Sequence, residues 1–213
     1  MEKPITAIDI ALDPDRMMML HAKAINARLL KGCPDGFALD KTHQPHITIL
    51  HRYVRTAELG NIYAAVGMVL ANKKASDLEL KAVKYVFHRL NDLGIVTISV
   101  ETSVGVLKLQ QELIDAVYPF EEKMGTAAAF FTTPNDPDID QMTIDYVAEF
   151  VPKRTGQKFH PHVTVGIASQ DYGKKLLTEP FDPFTFSSAQ VSVYQLGNKG
   201  TARKTLKSWK LMP

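Results

Sequence analysis

A five-residue segment of the form Pro-His-aliphatic-Thr-aliphatic occurs twice in the chain, at residues 45–49 and at residues 161–165. Short runs rich in β-branched residues are typical of β-strands, in which alternate side chains share a face. In the first copy, His46 and Thr48 therefore point one way and the aliphatic pair points into an apolar core. The second copy repeats this arrangement. The repeat predicts two related halves whose imidazoles and hydroxyls meet at a shared cleft.

Helix signals lie between the strand-like runs in both halves. The sequence Asp13-Pro14-Asp15 is typical of a helix start, with Asp13 as the N-cap and Pro14 in the first helical position. The apolar spacing of this first helix predicts one packed face, formed by Met17, Leu20, Ala24 and Ala27. A further helix is predicted over residues 139–151, with Pro152 closing it.

Turn signals at residues 91–94 and 197–200 separate pairs of strand-like runs, which predicts two hairpins. Hairpins require antiparallel strands, and the helices are interspersed among them. The pattern therefore favours an α+β chain over a parallel α/β fold.

Composition limits the class of protein. The chain has 213 residues, a net charge of +2 and one cysteine, Cys33. This length favours one substantial domain, residues 1–213, and the near-neutral charge argues against a broad basic surface for nucleic acid. A lone cysteine excludes an internal disulfide framework and a multi-cysteine zinc site. We see no membrane-spanning stretch and no signal-peptide core, which predicts a cytoplasmic monomer.

Two histidines and two threonines suit attack on a phosphodiester. Histidine has an ordinary pKa of about 6.5, so one imidazole serves as base and the other as acid around neutral pH. The hydroxyls of Thr48 and Thr164 are suited to donate to the non-bridging phosphate oxygens. Gly166, read as the next residue on the His162 face, would leave room for a ligand. This chemistry needs no metal and no cofactor.

The paired His-x-Thr motifs resemble those of the 2H phosphoesterase superfamily, which includes the 2′,5′-RNA ligase-like proteins and the cyclic nucleotide phosphodiesterases. The resemblance extends from the opening strand and Asp-Pro helix to residues 191–197. It implies a bilobal fold, with two pseudo-symmetric antiparallel sheets flanked by helices around a central cleft. It also implies hydrolysis of a 2′,3′-cyclic phosphate, on a small nucleotide or an RNA end, or of a 2′-5′ linkage. His46 and His162 would be the acid/base pair, and residues 130–156 would shape substrate choice.

Four further residues are candidates for substrate binding. Arg203 and Lys199 belong to a basic tail that suits a phosphate, although charges on an edge hairpin also prevent aggregation. Tyr194 and Phe131 suit stacking on a base, although aromatic residues in strands more often belong to a core. His51 has no supporting context in the sequence, and we assign it a core or surface role.

Two alternatives remain open at the level of sequence. The first is a metal-dependent hydrolase that uses His43, His160 and His162, since His160 and His162 have the His-x-His form of some metal sites. The second is a module that binds a nucleotide or RNA without turnover.

Overall fold

A computed structural model describes residues 4–134 and 136–212. Within these residues the strands are β1 (Ile5–Pro14), β2 (Ile47–Arg55), β3 (Leu80–Leu90), β4 (Leu93–Glu101), β5 (Glu121–Glu122), β6 (His162–Ser169), β7 (Phe184–Phe186), β8 (Ser188–Leu196) and β9 (Ala202–Lys210). The helices are α1 (Arg16–Gly32), α2 (Leu59–Leu70), α3 (Val104–Val117), α4 (Gln141–Ala148), α5 (Phe150–Arg154) and α6 (Gln170–Leu177). None of these helices is long and apolar enough to cross a bilayer.

The strands form two antiparallel sheets. One has the order β5-β2-β1-β8-β9 and the other has the order β6-β4-β3-β7. Each sheet contains one copy of the repeated motif, on β2 and on β6. The predicted α+β class with two antiparallel sheets is confirmed, as are both hairpins, β3–β4 and β8–β9.

Helices cover the sheets and connect the two halves of the chain. Helix α1 follows β1 in sequence but packs against β6 of the other sheet, while α3 packs against α2 and β2. One cluster of buried apolar side chains includes Ile8 of β1, Val66 of α2, Val96 of β4 and Val163 of β6, all fully buried. Each such burial stabilises the fold by roughly 1.5–3 kcal/mol, so the sheets are held in register by a shared core.

Each motif strand carries a β-bulge directly after its threonine. Between β1 and β2, Ile10 pairs with Leu50 and Ala11 pairs with Thr48. Ile49 is therefore the extra residue on β2. Between β4 and β6, Val96 pairs with Gly166 and Thr97 pairs with Thr164. Val165 is therefore the extra residue on β6. An inserted residue reverses the alternation of side chains beyond it. Strict alternation therefore holds only as far as each threonine.

The bulge overturns the prediction for Gly166. Its φ is +147°, and a Cβ there would lie 2.9 Å from Leu29 Cδ1 and 3.0 Å from Asn26 Nδ2. Gly166 therefore faces α1 and allows the helix to approach the strand, rather than leaving room for a ligand in the cleft.

The start of the first helix was predicted two residues too early. β1 continues through Pro14, and the N-cap is Asp15, whose carboxylate accepts from Met18 N at 3.1 Å. Residues three and four apart share a face wherever the helix begins, and more than one face of α1 has apolar residues at this spacing, so packing decides which face is buried. The predicted face was wrong: Met17 and Leu20 are more than half exposed. The buried residues of α1 are Met18, Ala22, Ile25, Asn26 and Leu29.

The helix predicted over residues 139–151 is two short helices, α4 and α5, which meet at Glu149. Pro152 lies inside α5 instead of ending the helix. It is tolerated because it falls in the first turn, where a backbone N–H has no partner within the helix.

Candidate active site

A cavity of about 640 Å³ lies between the two sheets, and all four motif side chains line it. His46 and Thr48 reach it from β2, and His162 and Thr164 reach it from β6. The predicted juxtaposition of the two motifs is therefore present. The volume of the cavity falls within the range of about 300–1,000 Å³ that is usual for small-molecule sites.

Both motif histidines are anchored in the same way. His46 Nδ1 donates to the carbonyl of Gln44 at 2.6 Å, and His162 Nδ1 donates to the carbonyl of His160 at 3.0 Å. A carbonyl only accepts, so Nδ1 carries a hydrogen in both rings and Nε2 is left for chemistry. The intervening proline has a fixed φ, which holds each carbonyl beside its ring. This explains why the repeat begins with proline.

A buried carboxylate beneath the first motif was missed by the sequence analysis. Asp9 of β1 is fully buried, and its Oδ2 lies 3.2 Å from His46 Nε2 and 3.6 Å from His51 Nε2. Thr48 Oγ1 donates to the same oxygen at 3.2 Å. One sequence signal was available: Asp9 is the single charged residue in the apolar run at residues 5–12.

His51 also contributes to the site. The bulge at Ile49 turns the residue after Leu50 toward the cavity, and His51 lines it although it is only 2% exposed. The core or surface role assigned to His51 from sequence was therefore incomplete. His51 is buried, and it also belongs to the group of polar side chains around Asp9.

The second lobe lacks this carboxylate. Asp9 pairs with His51 across β1 and β2, and the corresponding pair across β4 and β6 is Ile95 and Ile167. Both isoleucines line the cavity. The two motifs are thus symmetric in their backbone and asymmetric in their charge.

This asymmetry moves the pKa values of the two motif histidines in opposite directions. Burial acts to lower the pKa of His46, but the hydrogen bond and charge of Asp9 outweigh burial and raise it above its usual value. Burial lowers the pKa of His162, and the positive charges of His88, His46 and Arg154 lower it further. For Asp9, burial acts to raise the pKa, but His51 and His46 outweigh it and hold the carboxyl ionised.

Two of the four predicted substrate-binding residues line the cavity, Arg203 and Lys199. Arg203 is buried, and its Nη1 donates to His43 Nε2 at 2.7 Å. Its Nη2 lies 3.5 Å from Asp136 Oδ2. Burial lowers the pKa of His43 and the charge of Arg203 lowers it further, consistent with a neutral ring that accepts. His43 also stacks on Phe37, with ring centroids 4.9 Å apart.

The other two predicted residues lie elsewhere. Tyr194 is 2% exposed, and its hydroxyl donates to Asp13 Oδ1 at 2.7 Å. Phe131 packs beneath Lys204, whose Nζ is 5.7 Å from the ring centroid. Neither belongs to the cavity lining within residues 4–134 and 136–212. Tyr194 is held behind the site, with its ring centroid 6.2 Å from that of His46, and Phe131 lies in a loop outside the cavity.

The histidines of the metal alternative do not form a ligand set. His43 Nε2 already accepts from Arg203, and His160 contacts His162 through its backbone carbonyl. In the described part of the chain, no group of three or more His, Cys, Asp or Glu residues is placed to hold a metal ion.

With the fold and this site in place, comparisons with known proteins identify the family. A sequence model described as the 2′-5′ RNA ligase superfamily matches residues 22–200. The chain therefore belongs to this superfamily of 2H phosphoesterases, which confirms the resemblance seen in its motifs. Membership supports phosphoesterase activity. No curated protein matches the chain in sequence.

The chain is similar to several solved structures at low sequence identity, and the first of them shares its fold. The protein TT0787 of Thermus thermophilus has a TM-score of 0.55 and 15% identity, covering 97% of this chain and 98% of that chain. LigT of E. coli, complexed with 3′-AMP, has a TM-score of 0.44 and 14% identity, covering 99% and 100%. Usb1 of Kluyveromyces marxianus has a TM-score of 0.43 and 10% identity, covering 96% and 98%.

Proposed function

We propose that this protein is a metal-independent phosphodiesterase that opens a 2′,3′-cyclic phosphate or hydrolyses a 2′-5′ phosphodiester. The observation that carries the proposal is the convergence of His46 and His162 on one cavity, each with Nδ1 fixed by a backbone carbonyl. Fixed imidazoles from opposite sheets suit in-line displacement at phosphorus, because the attacking and leaving oxygens lie on opposite sides.

The charge asymmetry assigns the two proton-transfer roles. His162 has a lowered pKa and an Nδ1 hydrogen, so its neutral ring presents a lone pair at Nε2 and acts as the base. His46 has a raised pKa because of Asp9, so it keeps its proton to higher pH than His162 does and acts as the acid.

In the proposed reaction, His162 Nε2 takes a proton from water as the water oxygen bonds to phosphorus. The bond from phosphorus to the ribose oxygen breaks. The N–H of His46 Nε2, whose nitrogen lies 3.2 Å from Asp9 Oδ2 before substrate binds, turns to the ribose oxygen and gives its proton to it. Exchange of one proton with solvent restores both rings. Thr164 would donate to a non-bridging oxygen, and Thr48 would transfer its hydrogen bond from Asp9 to the phosphate as negative charge develops there.

The remaining lining suits a small nucleotide or an RNA end. Arg203 and Lys199 supply positive charge, and His43 offers an aromatic face backed by Phe37. Thr133, Asp136 and Tyr146 also line the cavity, which supports the predicted role of residues 130–156 in substrate choice. The monomeric state and the cytoplasmic location remain predictions.

Replacing either histidine tests the proposal. We expect His46→Ala and His162→Ala each to lower kcat for a nucleoside 2′,3′-cyclic phosphate by about 10²–10⁴-fold, because each ring moves one proton in the transition state. The assay is product release, followed by chromatography. Lys153→Ala is the control, because its side chain is exposed and outside the cavity.

Near-normal turnover by either folded variant would remove the assignment. Tight nucleotide binding without turnover by the wild-type protein would instead favour the non-catalytic module.

A further inference from the structure

A second cavity of about 320 Å³ lies on the other side of His162. It shares Thr48, Tyr146 and His162 with the cavity between the sheets, so the two spaces adjoin at the proposed base. Any substrate group placed in the second cavity would therefore be close to the reacting phosphorus.

The second cavity is positively charged. Two permanent cations, Arg154 and Lys158, line it, and none of its lining residues in the described chain is Asp or Glu. Neither Arg154 nor Lys158 forms an ion pair with any residue that the structure describes. By contrast, Lys153, one residue before Arg154, forms an ion pair, with its Nζ 2.7 Å from Glu149 Oε2. Lys153 lines neither cavity.

The cations are positioned by neighbouring groups. The Arg154 guanidinium lies over the Tyr146 ring, 4.2 Å from its centroid, and Lys158 Nζ donates to the carbonyl of Pro152 at 3.1 Å. Thr97 and Ser99 of β4 add hydroxyl donors to the same lining. Two such cations with hydroxyls beside them form a site for a multivalent oxyanion such as phosphate.

We propose that this second cavity binds a second phosphate of the substrate, adjacent to the phosphorus that reacts between His46 and His162. The inference rests on the proposed function. It makes the preferred substrate a nucleic-acid end, or another nucleotide with two phosphate groups, rather than a nucleoside cyclic monophosphate.

Kinetics with three probes test the inference. The probes are a nucleoside 2′,3′-cyclic phosphate, the same compound with a 5′-phosphate, and a dinucleotide ending in the cyclic phosphate. We expect one or both of the larger probes to be hydrolysed with a kcat/KM at least tenfold higher than that of the first. A gain with the 5′-phosphate compound indicates a free nucleotide, and a gain only with the dinucleotide indicates a nucleic-acid end. Equal values for all three would overturn the inference.

Charge-removing variants locate the gain. Arg154→Gln and Lys158→Gln are each expected to reduce the ratio of kcat/KM between the larger probe and the cyclic monophosphate by about tenfold, the effect of losing one charged hydrogen bond. Lys153→Gln removes the same charge next to Arg154 and should leave this ratio unchanged. If Lys153→Gln lowers the ratio as much as the other two, the effect is a general charge effect and the proposed site is wrong.

A binding measurement separates this inference from the proposed function. Calorimetry compares a nucleoside 3′-monophosphate with the corresponding 3′,5′-bisphosphate on the wild-type protein. Tighter binding of the bisphosphate, lost in Arg154→Gln, supports the second phosphate site even if no cyclic phosphate is hydrolysed. Turnover without any gain from the second phosphate leaves the proposed function intact and contradicts the inference.

Discussion

Asp9 makes the environment of His46 different from that of His162. Its fully buried Oδ2 is near three polar groups, His46 Nε2, His51 Nε2 and Thr48 Oγ1. A buried carboxylate is costly unless it is paired and hydrogen-bonded, and these partners meet that requirement at Oδ2, whereas Oδ1 has no hydrogen-bond partner among the described residues. At the scale of single residues, one carboxylate in an apolar strand therefore gives the two motif histidines different pKa values, which is the basis of the acid and base roles that we propose.

The pH dependence of Asp9→Asn tests this role. In the wild-type protein, kcat/KM should rise with pH as His162 loses its proton, below about pH 6.5, and fall as His46 loses its proton, above about pH 6.5. Asp9→Asn removes the charge that raises the pKa of His46, so the alkaline limb should move to lower pH while the acidic limb stays in place. Activity against pH, with folding checked by circular dichroism, provides the measurement.

Asp40→Asn is the control, because it removes an exposed carboxylate from the loop before His46. Both limbs should stay in place in this variant. An alkaline limb that does not move in folded Asp9→Asn would mean that Asp9 does not set the protonation of His46.

At the scale of elements, helix amides hold the two bulges. Gln110 of α3 donates to the carbonyl of Ile49 at 3.0 Å, and Asn26 of α1 donates to the carbonyl of Val165 at 2.9 Å. Both side chains are buried, and each also bonds to the backbone of a loop, at Gly156 and at Leu39. A bulge interrupts the ladder of strand hydrogen bonds, and these amides satisfy the carbonyls that it leaves.

Loss of one amide should destabilise the whole chain. Gln110→Leu keeps a similar volume but leaves the Ile49 carbonyl and the Gly156 N–H without that partner, so we expect a loss of about 2–4 kcal/mol in the free energy of unfolding. Urea denaturation measures it as a lower midpoint at an unchanged slope. Gln111→Leu, at an exposed position of the same helix, should change stability by less than about 0.5 kcal/mol. Equal midpoints for the two variants would show that Gln110 does not support the bulge.

At the scale of the whole molecule, the crossing of α1 to the opposite sheet links the two halves. The helix from the first half packs against β6, which carries the second motif, and Asn26 bonds to the bulge there. The cavity is therefore formed by both sheets. His43 and His160, which the metal alternative required beside His162, are instead held by separate contacts in the same structure.

Chelation tests whether the histidines act without a metal. Treatment with excess EDTA, followed by gel filtration into metal-free buffer, should leave kcat/KM for a 2′,3′-cyclic phosphate within about twofold of the untreated value. Protons alone perform the proposed chemistry. Readdition of Zn²⁺ or Mn²⁺ is the control. Activity lost on chelation and restored by one of these ions would support the metal-dependent alternative.

The repeated motif and its histidine and threonine pairs could be predicted from the sequence. The period of a strand and the pKa of imidazole are local properties of the residues themselves. The antiparallel hairpins followed from turn residues for the same reason. The predicted face of α1 was wrong, because the helix has apolar residues at helical spacing on more than one face, and packing against β6 selected the face with Ala22, Ile25 and Leu29.

Only the tertiary structure decided the positions that depend on contacts between distant segments. The bulges at Ile49 and Val165 turned His51 toward the cavity and Gly166 toward α1, and strict alternation does not reveal them. Pairing of β1 with β2 placed Asp9 beneath His46, and strand register left Tyr194 in the core. Residue types and local spacing thus determined which chemistry we propose for this protein, whereas long-range packing determined the charge around each histidine.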